Sequence, residues 1–166
     1  YVWQEIEVPV IAAIKGVAFG GGIQLALAAD FRIAAPASKF SIMESKWGII
    51  PDLGITQNLP KLTRADIAKE LIMTGRIFDG KEAFHLGLVT MIDKDPLASA
   101  EGFANKLVEK SPDVLKGAKK LIEESWVAPL GEGLTMESDI QSRIMGYENN
   151  IEAVMATVQK RPAKFK

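Results

Sequence analysis

Cysteine is absent from all 166 residues. That excludes disulfides, thiolate nucleophiles and cysteine metal sites, and it suits a cytoplasmic protein. Histidine is nearly absent, with His85 alone. One histidine and no cysteine make a zinc site implausible, so no metal ligand is assigned. A serine triad would need that same histidine, and no Gly-x-Ser-x-Gly turn accompanies it. Excess charge of one sign is missing too. The formal net charge is -1, which argues against nucleic acid or an anionic membrane as a partner. No apolar run is long enough to span a bilayer: Val8 to Ile14 stops at Lys15, and Val17 to Ala29 contains Gly20, Gly21, Gly22 and Gln24. The first residues, Tyr-Val-Trp-Gln-Glu, lack the basic region of a signal peptide and lack an initiator Met. The expectation is that an N-terminal part of the domain lies upstream.

What is present is ordinary globular material, 48% apolar and 25% charged. Pro9 opens an apolar run, Val10 to Ile14, that reads as a buried strand. A glycine-rich stretch follows, and from Gly22 the pattern turns helical, with Leu25, Ala28 and Ala29 spaced to share a face. Phe31 to Ala35 and Lys39 to Met43 are strand candidates, and Glu44 to Gly54 reads as a loop. Helices are predicted over Thr63–Met73 and Lys81–His85, with a strand over Leu88–Ile92. After Asp95 only helical stretches remain: Pro96–Glu109, Pro112–Ser125, Leu130–Tyr147 and Asn150 to about Lys160. The fold class is therefore α/β, with residues 1–95 forming the core that carries the site and 96–166 a helical region.

Three consecutive glycines between a strand and a helix need a reason, because each loses more backbone freedom on folding than any other residue. One is a helix start whose unpartnered N–H groups, backed by the helix dipole, receive an oxyanion or phosphate. The other is a packing turn where the helix crosses a strand closely. The spacing fits neither a Gly-x-Gly-x-x-Gly fingerprint nor a Walker loop. Downstream, Glu44 ends the apolar stretch Phe40–Met43, and Asp52 follows Pro51 in an otherwise apolar loop. Carboxyl groups in apolar surroundings suit proton transfer near neutral pH, whereas a lone acid in a loop is usually solvated. Lys116, Lys119 and Lys120 with Glu123 and Glu124 read as a solvated helix face.

The order of these pieces resembles the crotonase (enoyl-CoA hydratase/isomerase) superfamily. Pro9 to Gly16 runs into Gly20-Gly21-Gly22, Leu25-Ala26 and Asp30. Phe40, Glu44, Gly48, Ile50-Pro51, Gly54 and Thr56-Gln57 follow, then Leu71, Thr74-Gly75, Glu82-Ala83, Gly87-Leu88-Val89 and the ending Lys160 to Phe165. The resemblance covers essentially the whole chain. It implies a ββα-spiral core, a helical C-terminal trimerisation region, and a homotrimer or dimer of trimers. It also implies an acyl-CoA thioester as substrate and no separate cofactor, coenzyme A being part of the substrate. An enolate would form at the thioester oxygen, held by Gly21 N–H and by a second N–H from a segment upstream of residue 1. Gly20, Gly21, Gln24 and Lys160 would bind substrate, Lys160 near the CoA phosphates, while Gly21, Glu44 and Asp52 would be catalytic. The hydratases of this family carry two glutamates. The second matches Glu44, and the first falls on Gln24, an amide that cannot accept a proton at neutral pH. Asp52, eight positions after Glu44, stands where the dienoyl-CoA isomerase branch has an aspartate. Isomerisation is accordingly favoured over hydration. The alternatives are a hydratase using Glu44 alone and a non-catalytic acyl-CoA-binding subunit.

Overall fold

The computed structural model describes residues 2–166. A short helix α1 (Val2–Glu5) precedes β1 (Ile11–Ile14), formed by the apolar run after Pro9. Lys15 and Gly16 then turn the chain into β2 (Val17–Phe19), with Gly16 at φ +90°. That angle is open to glycine and strained for residues with a Cβ. Helix α2 (Gly21–Leu27) follows, then β3 (Phe31–Ala34) and β4 (Lys39–Ser41).

Strand β3 lies parallel to β1, Ile11 beside Phe31 and Ile14 beside Ala34. Strand β4 lies parallel to β2, Val17 beside Lys39 and Phe19 beside Ser41. Each turn of the chain thus lays one strand in each of two sheets, the ββα spiral that the resemblance implies. The sheets are completed by β5 (Phe78–Asp79), antiparallel to β4, and β6 (Met91–Ile92), parallel to β3. Helices α3 (Ile55–Asn58) and α4 (Ala65–Thr74) lie between β4 and β5, and α5 (Gly80–His85) lies between β5 and β6.

The chain divides into two compact units, one comprising Val10–Gly102 and the segment ending at Glu5, the other Ile6–Pro9 and Phe103–Lys166. The first has the core. Ile14, Ile23, Leu27, Phe40, Ile42, Ile55, Leu59, Leu71 and Phe78 are buried together, and Phe40 stacks on Phe78 with ring centroids 5.7 Å apart. Removing such side chains from water drives the collapse, at about 25 cal/mol per Å2 of apolar surface. The inward face of α2 is Ile23, Gln24 and Leu27, whereas Leu25 is 53% exposed. The predicted grouping of Leu25 with Ala28 and Ala29 is corrected here: the helix ends at Leu27, and its buried stripe lies one position away. Arg32 is buried in β3. It donates through Nε to the Leu88 carbonyl at 2.8 Å and through Nη1 to the Ala29 carbonyl. Burial pushes its guanidinium below the usual arginine range, against the opposing pull of Asp30.

In the second unit α6 (Pro96–Val108), which starts in the first, is followed by α7 (Pro112–Ser125), α8 (Leu130–Ile144) and α9 (Glu148–Val158). Helices α7 and α8 meet at Gly117, where a Cβ would come 2.9 Å from Ile140 Cγ2. The lysine face expected on α7 is in part a contact surface: Lys116 pairs with Glu7 at 3.1 Å and Lys119 donates to the Val8 carbonyl. The tail after α9 is tied down. Arg161 pairs with Glu152, which also accepts from Lys164 N–H, and Asn149 exchanges hydrogen bonds with the Lys166 backbone.

Candidate active site

The glycine triplet bridges β2 and α2. Gly20 has φ +52° and ψ -121°, and its N–H donates to the Ser41 carbonyl, fastening the turn to the end of β4. Gly21 opens the helix, so its N–H has no intrahelical carbonyl to reach. A Cβ on Gly21 would lie 3.1 Å from Leu53 Cδ1, and one on Gly20 would lie 3.4 Å from Glu44 Oε1. The triplet is thus both a close-packing turn and a helix start beside a carboxylate.

Glu44 opens a 3-10 turn, Glu44–Trp47, where a loop was expected. The segment is braced from α4. Ser41 Oγ donates to the Gly75 carbonyl at 2.7 Å, and Gly75, at φ +58°, packs so tightly that a Cβ would meet Ser45 Oγ at 2.8 Å. Glu44 is 7% exposed. Its Oε1 accepts from Gln24 Nε2 at 2.6 Å. Its Oε2 is buried and accepts no hydrogen bond from any described residue. An orphaned carboxylate oxygen costs about 1–3 kcal/mol or more of desolvation, so this one detracts from the stability of the fold.

Gln24 is 1% exposed. Its amide oxygen accepts from Leu53 N–H at 2.8 Å, so the side chain spans from Glu44 to the segment after Asp52. Asp52 itself is exposed. The structure therefore brings Gly20, Gly21, Gln24 and Glu44 together, and leaves the Asp52 carboxylate outside their hydrogen bonds. Lys160 is exposed after α9, at φ +52°, its N–H bonded to the Thr157 carbonyl. His85 is exposed on α5, its Nδ1 hydrogen-bonded to the Lys81 carbonyl at 2.7 Å. Leu53 was not foreseen as a member of the site. Its contribution is a backbone N–H, which carries no side-chain signature. The described residues hold no cluster of three or more metal-ligating side chains, and no helix of theirs is long and apolar enough to cross a membrane.

The sequence profile of one family, enoyl-CoA hydratase/isomerase, matches residues 2–166. The chain belongs to the enoyl-CoA hydratase/isomerase family. Human mitochondrial methylglutaconyl-CoA hydratase is 35% identical over 168 aligned residues, covering 98% of this chain and 50% of that protein. Carnitinyl-CoA dehydratase of Citrobacter koseri is 36% identical, covering 98% of this chain and 64% of that one. The crystal structure of an enoyl-CoA hydratase from Bacillus anthracis matches with a TM-score of 0.95 at 36% identity, over 99% of this chain and 64% of its own. The chain spans between half and two thirds of the length of these family members.

Proposed function

We propose that the protein binds an acyl-CoA thioester and moves a proton along its acyl chain, isomerising a double bond in preference to hydrating one. The observation that carries this is the Glu44 carboxylate, buried beside the glycine turn with one oxygen held by Gln24 and the other unpartnered. In a 3-enoyl-CoA, Glu44 Oε2 takes a proton from C2. The electron pair moves into an enolate whose oxygen receives a hydrogen bond from Gly21 N–H, with the helix dipole behind it. Glu44 then returns the proton at C4 as the carbonyl re-forms. One carboxyl group serves both steps and no water is consumed. A second carboxyl is needed only where the proton must arrive further along, as in a 3,5-dienoyl-CoA, and Asp52 is the group proposed there. Gly20 and Gly21 are the glycines proposed to contact the thioester, and Lys160 is the cation proposed, from the family resemblance alone, for the CoA phosphates. Assembly as a homotrimer or a dimer of trimers is proposed from family membership.

The second reading, hydration by Glu44 alone, is favoured by the relatives named hydratase and dehydratase. Turnover of 3-enoyl-, 3,5-dienoyl- and 2-enoyl-CoA separates the two. Isomerisation of the first two substrates is expected, with the Asp52→Asn variant slowed only on the dienoyl substrate. Fast hydration of 2-enoyl-CoA, unchanged in Asp52→Asn, would replace the isomerase by the hydratase. Tight binding of all three without turnover would make the protein a binding subunit.

A further inference from the structure

We infer that Gln24 is a positioning residue, a two-ended clamp that ties the Leu53 backbone to one oxygen of Glu44 and leaves the other as the proton acceptor. The inference rests on the proposed role of Glu44 as proton carrier.

The orientation of the amide follows from its neighbours. Leu53 N–H can only donate, so it takes the amide oxygen, at 2.8 Å. An ionised carboxylate can only accept, so Glu44 Oε1 takes the amide nitrogen, at 2.6 Å. Turning the amide over would set donor against donor and acceptor against acceptor at both ends. With Gln24 1% exposed, water has little access to offset either mismatch. One conformer therefore results, and with it one orientation of the Glu44 carboxylate. Gln24 is itself held by the α2 backbone between Ile23 and Leu27, both buried in the core. The clamp is anchored on a packed element, not on a mobile loop.

Two consequences follow. The Gln24 oxygen already holds Leu53 N–H and cannot take up a proton, so residue 24 is not a second base for water. A carboxylate in its place would face Glu44 oxygen to oxygen at the same spacing. Two such oxygens need a shared proton to coexist. The amide supplies the bridging hydrogen permanently, so the geometry of Glu44 does not depend on a proton that pH can remove.

The test reads proton transfer directly, as deuterium incorporation at C2 of butyryl-CoA in heavy water across pH 5–10. This exchange needs only abstraction and return, so it does not depend on whether the net reaction is isomerisation or hydration. Three variants are compared with the unaltered protein: Gln24→Glu, Gln24→Met and Glu44→Gln. The profile of the unaltered protein is the reference for the variants. Gln24→Glu keeps the side-chain size and the bond from Leu53 N–H. It is expected to add a falling alkaline limb, because the proton shared between residues 24 and 44 leaves and the two carboxylates repel. Gln24→Met keeps the volume without either hydrogen bond. It is expected to exchange about 10^2-fold more slowly at every pH, with no alkaline limb and with little change in KM, the scale of a misplaced reacting group. Profiles of unaltered shape and height in both Gln24 variants, whatever their melting temperatures, would overturn the clamp. Undiminished exchange in Glu44→Gln would instead overturn Glu44 as proton carrier, and the clamp with it.

Discussion

Arg161 grips Glu152 across nine residues of chain, Nη2 lying 2.8 Å from Oε2 while Nη1 reaches Oε1. Glu152 Oε1 also accepts from Lys164 N–H at 2.7 Å. These bonds, the Arg161 guanidinium first, pull the Glu152 carboxyl down to about 2. A group whose acidity is strengthened on folding stabilises the fold above its unfolded value, about 4.3 for glutamate. That contribution fades as pH falls through the folded value. The tail from Arg161 onward is expected to stay docked on α9 above pH 5 and to loosen progressively below it. The protection factor of the Lys164 amide, its exchange rate relative to the intrinsic rate at each pH, followed by NMR down a pH series, measures this. Glu152→Gln is expected to show a lowered protection factor already at pH 7, with no further loss on acidification.

The three glycines at the site are predicted to differ sharply when each is replaced by alanine. Gly22 has open space where a Cβ would go and no positive φ. Gly22→Ala is expected to gain up to about 1 kcal/mol, because alanine loses less entropy in a helix. Gly20 is at φ +52° with ψ -121°, outside the regions alanine favours, so Gly20→Ala is expected to lose about 1–3 kcal/mol. Gly21→Ala presses on Leu53, which is half exposed and able to yield. It is expected to cost less stability than Gly20→Ala and to lower activity by shifting the loop that Gln24 holds. Urea unfolding of the three variants, beside their turnover, checks the order.

Glu44→Gln is expected to separate stability from activity. The buried orphan oxygen contributes an unreturned desolvation cost. A neutral amide of the same shape removes a buried charge and still offers an oxygen to Gln24 Nε2. The melting temperature is expected to hold or rise, while proton transfer falls about 10^2- to 10^4-fold, the usual contribution of a positioned acid–base group. Calorimetry and turnover on the same preparation give both numbers. A large drop in melting temperature would show that the carboxylate stabilises the fold after all.

Much of this is legible in the amino-acid order, and what is not has identifiable causes. Strands β1, β3 and β4 announce themselves as apolar runs cut by proline or glycine, and the long helices after Asp95 by their period and capping prolines. Strand β2 escapes notice because three residues between Gly16 and Gly20 are too few to show alternation. Helix α3 is a single turn, and the 3-10 turn at Glu44 is hidden in a stretch rich in glycine and proline. In α2 the expectation that apolar residues go inside selects Leu25 over Gln24. The structure inverts them, because Gln24 has both ends satisfied by partners far along the chain. A buried polar residue is unreadable until its partners are known. Glu44 was visible as an acid closing an apolar strand. Its true setting depended on Leu53 N–H, which any non-proline residue would supply.

The corner at Lys15 and Gly16 joins two strands that each lie at the margin of a different sheet, since among the described residues β1 pairs only with β3 and β2 only with β4. Nine residues, Ile11–Phe19, therefore hand the chain from one sheet to the other, and Lys15, exposed, is the single charge among them. A lysine flanking an apolar run keeps a hydrated charge beside it, which disfavours non-native pairing of that run while the chain is unfolded. The charge that interrupts the longest early apolar run thus sits where the chain changes sheets.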